Sequence, residues 1–372
     1  MKILKYIFII SFLCMAGCVS EFNANLPSED ENLLVVSGNI CSDSTVEINL
    51  SYSSSLSEMP STEIPGGSSS SSSHWGPEDV QEVKAEVAMV GSDGSRIEAT
   101  RFSGRGRFSL KVGTLNPEVA YGLEIIVEGE VYRSALSKPL YTQVIEKLTW
   151  QQPVEEGDVS ICVSTTAGGE VNYYIWSFQE DWVINRGLLK DCWGHDAIRD
   201  QVFVSSASFQ NGEVRNYPMY NIAAYDRKFS SLYRVKVTQR LISKEAYEYR
   251  RMVKKLSSEM GGLFTPQPSE IKGNITCISS PGKKAIGFVE VVGNVSTATL
   301  YIASNDIVRP EIDEFCSIIA PEIIKDMGYS DLDLIRMGYL PWPDGMGAWI
   351  EAGCISCEVN GGDGIKPDDW IK

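Results

Sequence analysis

The chain has 372 residues, 43% of them hydrophobic, and a formal net charge of -16. That apolar content can bury ordinary cores and excludes disorder throughout, and the length leaves room for two or three domains. A surface this acidic repels phosphate backbones, so nucleic acid is excluded as an expected partner.

Lys2 and Lys5 open the chain, an apolar run follows through Ile7, Phe8, Ile9, Ile10, Phe12 and Leu13, and then comes Met15-Ala16-Gly17-Cys18. A basic start, a short apolar stretch and small residues before a cut are the order of a secretory signal. The run falls short of the roughly 18 to 20 residues needed to span a bilayer. Residues 1–17 therefore read as a lipoprotein signal peptide, because a thiol directly after Ala-Gly can be acylated before the cut frees its amino group. Cys18 is the expected lipidation site. Each buried acyl methylene contributes about 0.8 kcal/mol and two or more chains hold firmly, so the mature chain is expected on a membrane. Loss of the leader removes two lysines and no acid, leaving a charge of -18.

Residues 18–32 are polar, with Glu29-Asp30-Glu31, and read as a lipidated tether. From Leu33 short β runs begin: Leu33 to Val36, Val46 to Leu50, and Lys84 to Val90, returning through Ser92-Asp93-Gly94 to Arg96–Ala99 as a hairpin. Arg107 to Val112 and Tyr121 to Val127 follow. Several short strands with no helix between them point to an immunoglobulin-like β-sandwich over residues 33–148. Within it, residues 53–73 form a Ser-rich loop ending in six serines, 68 to 73, which cannot bury a core. His74-Trp75 closes that loop and is expected to pack its base.

Residues 149–372 read as a larger β-rich C-terminal domain. Its strand candidates are Val159–Ser164, Tyr173–Gln179, Gln201–Ser206, Leu232–Leu241, Gly273–Ile278, Ala285–Val292 and Ala298–Ala303. One prominent helix is expected over 243–260: Ser243 is the N-cap, Ala246, Tyr249, Val253, Leu256 and Met260 form a stripe, and Gly261-Gly262 is the stop. Arg250, Arg251, Lys254 and Lys255 are expected on its solvated face. The last seventy residues read as an irregular, Cys-containing tail.

Nine cysteines are present, and seven remain after Cys14 and Cys18 are set aside. In an exported chain the default use is disulfides, and an odd number leaves at least one unpaired. Cys192, Cys277, Cys316, Cys354 and Cys357 are the candidate disulfide cysteines, with their connectivity open. Cys354-Ile355-Ser356-Cys357 alone does not make a zinc site, which needs two more ligands from a chain with only His74 and His195. A Ser-His-Asp triad is improbable for the same reason. Cys192 and His195 resemble a nucleophile pair in spacing, but that chemistry needs a reduced thiolate. Asp331 with Asp333, and Asp363 in its glycine turn, read as surface and turn acids. No catalytic residue, metal ligand or cofactor emerges.

Leu33-Leu34-Val35-Val36-Ser37-Gly38 after the acylatable Cys, Cys192-Trp193, Leu232-Tyr233 running into Ala246-Tyr247-Glu248-Tyr249, and Gly261-Gly262-Leu263-Phe264 before Gly273-Asn274-Ile275 together carry a resemblance. So do Ala285-Ile286-Gly287-Phe288 and the ending Cys354 to Cys357 with Gly361-Gly362 and Lys366-Pro367-Asp368-Asp369-Trp370. The chain resembles an outer-membrane lipoprotein family of Bacteroidota catalogued as domain of unknown function 4249. The resemblance implies an N-terminal sandwich, a larger β-rich part and association with a TonB-dependent outer-membrane transporter, and it gives no catalytic residues to carry over. The expectation is a non-catalytic accessory subunit, ligand-binding or lid, of a nutrient uptake complex, lipid-anchored in the outer membrane and facing outward. Its ligand is expected to be small, such as a peptide or glycan, with Trp176, Trp182, Trp193, Trp342 and Trp349 either meeting it or packing the core. The alternatives are a surface hydrolase and an adhesin.

Overall fold

A computed structural model describes residues 33–53, 83–103, 106–166, 171–185, 187–189, 192–196, 201–259, 272–310, 316–343, 345 and 347–370. Cys18, the tether, all but the first residue of the Ser-rich loop, His74-Trp75, Met260 and Gly261-Gly262 lie outside the described residues. The chain divides into two compact units, 1–33 with 52–75 and 34–51 with 76–372. In the first, Ser53 N donates to Leu33 O at 2.9 Å and Leu33 N to Ser53 Oγ at 2.9 Å. All that follows concerns the second.

Alternating apolar residues build the N-terminal sandwich. Its strands are β1 (Leu34–Ser37), β2 (Ile40–Cys41), β3 (Ser44–Tyr52), β4 (Ala85–Gly91), β5 (Arg96–Glu98), β6 (Thr100–Ser103), β7 (Arg107–Val112), β8 (Tyr121–Val127) and β9 (Glu130–Ser134). In β7, Phe108, Leu110 and Val112 are buried while Arg107 and Lys111 are exposed, the period-2 pattern of a half-buried strand. Ile48 and Leu50 on β3 and Val87, Met89, Leu123, Ile125 and Val127 on β4 and β8 complete the core. Each such side chain contributes roughly 1.5–3 kcal/mol when fully buried. Register is set by pairs such as Ile48↔Phe108 and Met89↔Leu123. The β4–β5 hairpin closes with Gly94 at φ +84° and Asp93 Oδ1 accepting from Ser95 N.

The larger part follows with β10 (Ile145–Gln151), β11 (Val159–Thr165), β12 (Tyr173–Ile184), β13 (Cys192–Asp196), β14 (Val202–Ser205), β15 (Val214–Ile222) and β16 (Leu232–Ile242). β10-β11-β15 form one sheet, and β12 and β16 are the centre of another, paired from Tyr173↔Ile242 to Trp182↔Tyr233. Ile161, Val163 and Val214 from the first sheet meet Tyr174, Trp176, Val235 and Val237 from the second in one buried cluster. The helix α1 (Lys244–Glu259) starts at Ser243, whose Oγ accepts from Ala246 N at 3.0 Å. Its expected stripe is incomplete: Ala246 and Leu256 are buried, whereas Val253 is exposed.

The chain then returns to the sandwich. β17 (Ile275–Cys277) pairs with β9, β18 (Ala285–Ile286) runs parallel to β1, and β19 (Val291–Val292) runs parallel to β2. Thus residues 275–292, which sequence order assigns to the second domain, supply an edge strand to each five-stranded sandwich sheet. The single strand expected over Ala285–Val292 is broken into two because Gly287, at φ +145°, turns the backbone between them. A Cβ on Gly287 would lie 2.3 Å from Val36 O, and one on Gly273 would lie 1.7 Å from Gly287 O, so backbone meets backbone here.

β20 (Ser296–Ala303) then joins β16. The tail is not irregular throughout. It contains β21 (Ile318–Ile319), α2 (Pro321–Met327), α3 (Asp331–Arg336), β22 (Tyr339–Pro341), β23 (Trp349–Glu351) and β24 (Gly362–Asp363). Pro321 at the start of α2 and a Ser330–Asp333 capping box at α3 are the local signals for these short helices. The architecture is mainly β, an immunoglobulin-like sandwich followed by a larger β-rich part with one long helix.

Gly287→Ala is expected to destabilise by on the order of 1–3 kcal/mol, the cost of a glycine-only backbone region. Gly282→Ala, where a Cβ meets nothing within 4 Å, should stay within about 0.5 kcal/mol. Urea midpoints of the two variants check the difference, and equal midpoints refute it.

Candidate functional site

Two places concentrate chemistry, a buried ionic network in the large sheet and a cleft beside the start of α1. The network begins with register. Asp181 on β12 stands opposite Arg234 on β16 and opposite His195 on β13. Arg234 Nε and Nη2 donate to Asp181 Oδ2 at 3.0 and 2.6 Å, and His195 Nδ1 lies 2.7 Å from Asp181 Oδ1. Both Asp181 and Arg234 are fully buried.

The outer ends of Arg234 and His195 hold the C-terminal tail. Arg234 Nη1 donates to Asp369 Oδ1 at 2.6 Å, and Lys236 Nζ lies 3.2 Å from Asp369 Oδ2. The Arg234 and Lys236 bonds hold the Asp369 carboxyl below its usual range. His195 Nε2 meets Ile365 O at 3.0 Å and Asp363 Oδ1 at 3.2 Å. Trp370 is buried, packed edge-on against Trp193 and lying under the Arg234 guanidinium. Burial pulls the His195 pKa down, but the Asp181 bond, the Ile365 carbonyl and the charge of Asp363 together hold it above the ordinary imidazole value.

Glu180, one residue along β12, points the other way. It accepts from Tyr233 OH, from Tyr220 OH at 3.2 Å and from Lys228 Nζ at 2.5 Å. Burial pushes the Tyr233 hydroxyl well up, reinforced by Tyr220 and Glu180, so it stays a donor. Burial also lowers Lys228, and the Glu180 pair more than restores it. Every charge in this network has a structural partner.

The cysteines belong to the same latch. Cys192 on β13 is bonded to Cys357, and Cys316 to Cys354, with Cα separations of 5.6 and 6.0 Å. The Cys-x-x-Cys pair is therefore split between two disulfides. Cys192 has no thiol to offer, which removes the Cys192–His195 nucleophile reading. Cys277 is a correction to the candidate list: it is free and buried on β17, its Sγ 3.4 Å from Ser279 Oγ and facing Glu130. Cys41 and Cys162 are also free.

The cleft, about 570 Å³, lies between residues 135–140, the first turn of α1 and the returning segments 272–274 and 288–291. That volume is in the range of small-molecule sites, roughly 300–1,000 Å³. Leu140, Phe288, Val289 and Val291 give it an apolar lining, and Lys138, Glu245 and Lys272 add charge. Its walls are fixed by backbone bonds: Leu140 N to Val291 O at 3.0 Å and Ala135 N to Asn274 O at 2.7 Å. The Asn274 side chain brackets Val289 through both its N–H and its C=O. Glu290 is buried in the wall, with Oε2 bound to Arg250 Nη2 at 2.6 Å and Oε1 without a hydrogen-bond partner. Arg250 thus serves a buried carboxylate instead of a solvated helix face.

A known family covers this architecture. Residues 19–298 match the family described as Domain of unknown function (DUF4249). The chain belongs to that family. The match spans the sandwich, the large sheet as far as the first three residues of β20, and the cleft; the disulfide-rich tail lies beyond it. No curated protein matches. Among solved structures, a two fibronectin type-III domain segment from chicken tenascin is similar over 56% of this chain and 91% of its own length, at 10% identity and a TM-score of 0.17.

Of the five tryptophans considered for ligand contact in this DUF4249 chain, four are buried and Trp342 is half-buried. Trp176, Trp182, Trp193 and Trp349 are buried, and Trp176 Nε1 donates to Gln239 Oε1 at 2.8 Å. Asp333 caps α3, Asp331 is exposed in its first turn, and Asp363 braces the tail. None of them lines the cleft. Sequence reasoning missed the cleft because its residues come from four separated stretches that no single motif joins.

Arg234→Met leaves Asp181 buried without its main partner and should cost about 3–5 kcal/mol, while pairing it with Asp181→Asn should recover part of that loss. A double-mutant cycle by urea unfolding measures this. His195 adds a pH signature. Its folded pKa is raised, so its ionic contribution is complete below about pH 6.5 and is lost as pH rises through the shifted value. The melting temperature should fall over that window in the parent and not in His195→Gln, and parallel pH profiles would refute the assignment.

Proposed function

We propose that this chain is a lipid-tethered, non-catalytic, ligand-binding accessory subunit of a TonB-dependent nutrient uptake complex at the outer membrane. The cleft carries the reading: a preformed, apolar-lined hollow with braced walls suits retention of a small ligand more than its chemical conversion. The groups that catalysis would recruit are committed elsewhere. His195 is held between two acids and a carbonyl, and Cys192 is oxidised. The signal-like leader over residues 1–17, directly before Cys18, supports a membrane tether, and the family resemblance supports the transporter as partner. Either a hydrophobic peptide or a glycan with an apolar face can meet Leu140 and Phe288.

Affinity purification of the full-length protein from its native outer membrane in mild detergent tests the complex. A stoichiometric TonB-dependent barrel is expected, and recovery of the protein alone would move the reading to adhesin or hydrolase. The same preparation tests the cleft. Peptides or glycans retained by the parent should drop at least about tenfold, 1.4 kcal/mol, in Leu140→Trp, with barrel recovery unchanged. Turnover of a glycan or peptide panel would instead establish the hydrolase.

A further inference from the structure

Residues 316–354 form a small stapled module. β21, β23 and β22 make a three-stranded sheet, α2 and α3 lie between β21 and β22, and Cys316–Cys354 joins the ends. Leu188 N donates to Cys354 O at 2.9 Å, fixing the staple to the segment after β12. α2 has no buried residue and α3 buries only Leu334. Ile323 and Met327 are four apart on α2, and Leu332 and Ile335 three apart on α3, so each helix carries an apolar stripe. On α3 the stripe faces away from Leu334. With Ile318 and Met337, six large apolar side chains are between 45% and 61% exposed within twenty residues. Scattered exposed apolar residues are ordinary, but a group this dense marks an interaction surface.

Charge selects the occupant. Glu322, Asp326 and Asp331 are exposed among the stripes, against Lys325 and Arg336, in a chain of charge -16. Helices that lie in a bilayer interface carry Lys and Arg on the polar face, and anionic headgroups repel acids. In a second copy docked by a two-fold, Lys325 and Arg336 of one face would have to match three exposed acids of the other, leaving an acid unmatched on each side. We infer that the α2–α3 face is a docking site for a protein partner whose contact surface has an apolar centre and a rim of Lys and Arg. This rests on the subunit reading above. The disulfide at the base holds the face in place before contact, which lowers the ordering cost of binding.

A photoreactive residue placed at Met327 or Leu332 of the full-length protein, with Val144 as an exposed position elsewhere, tests the face by irradiation in native membranes. The same integral membrane protein should be captured from 327 and 332 and not from 144, through an apolar peptide flanked by Lys or Arg. Capture should fall at least tenfold in Asp326→Lys/Asp331→Lys that retains both disulfides. Undiminished capture in that variant overturns the basic-rimmed partner. Adducts only with lipid or a second copy, or partner capture from 144 alone, overturn the docking face while co-purification still decides the subunit reading. Absence of any adduct together with recovery of the protein alone overturns both.

Discussion

A single buried carboxylate, Asp181, flanked on its two neighbouring strands by Arg234 and His195, is the constraint on which the large sheet depends. A one-residue slip of β12 would turn Asp181 to the opposite face and leave Arg234 buried without its acid, a penalty of several kcal/mol. Register is therefore fixed by charge as well as by the apolar pattern. Because the outer faces of the same two side chains take Asp369 and Asp363, the interaction that sets the sheet also recruits the tail. The cystine to Cys357 and the Trp193–Trp370 contact then enclose it.

That arrangement explains where the sequence was legible. β7 alternates cleanly, and β7 and β8 both have the limits expected from their apolar runs. β12 was expected to stop at Gln179 because Glu180-Asp181 looks like the end of an apolar strand. It continues to Ile184 because both acids find partners on strands far away in the sequence, information no local window holds. β15 was invisible for a related reason: Pro218 and the positive φ of Asn216 break its pattern, and irregular pairing with β11 accommodates them. The leader and Cys18 were legible as motifs and lie outside the described residues. The cleft was not legible at all, since Leu140, Asn274 and Glu290 share no spacing and meet only through the return of the chain.

The return also changes what counts as a domain. Residues 33–148 contain most of the sandwich, yet β17 and β18 come from beyond α1 and cover an edge of each sheet. Unpaired edges are sites of misassociation, so an excised N-terminal segment exposes two strand edges that the whole chain covers. The same crossing places cleft walls on both halves of the sequence, tying the shape of the hollow to the integrity of the sandwich.

Cys354, Cys357, Asp363, Asp369 and Trp370 leave the ribosome after every strand of the large sheet but β24. Both disulfides, the cover over β13 and the outer ligands of Arg234 and His195 therefore arrive together in the final nineteen residues. A chain halted before Cys354 can assemble nearly every strand and still leave Cys192 and Cys316 without their partners. Closed cystines at Cys192 and Cys316 thus report that synthesis has passed Cys357 and that the tail has docked.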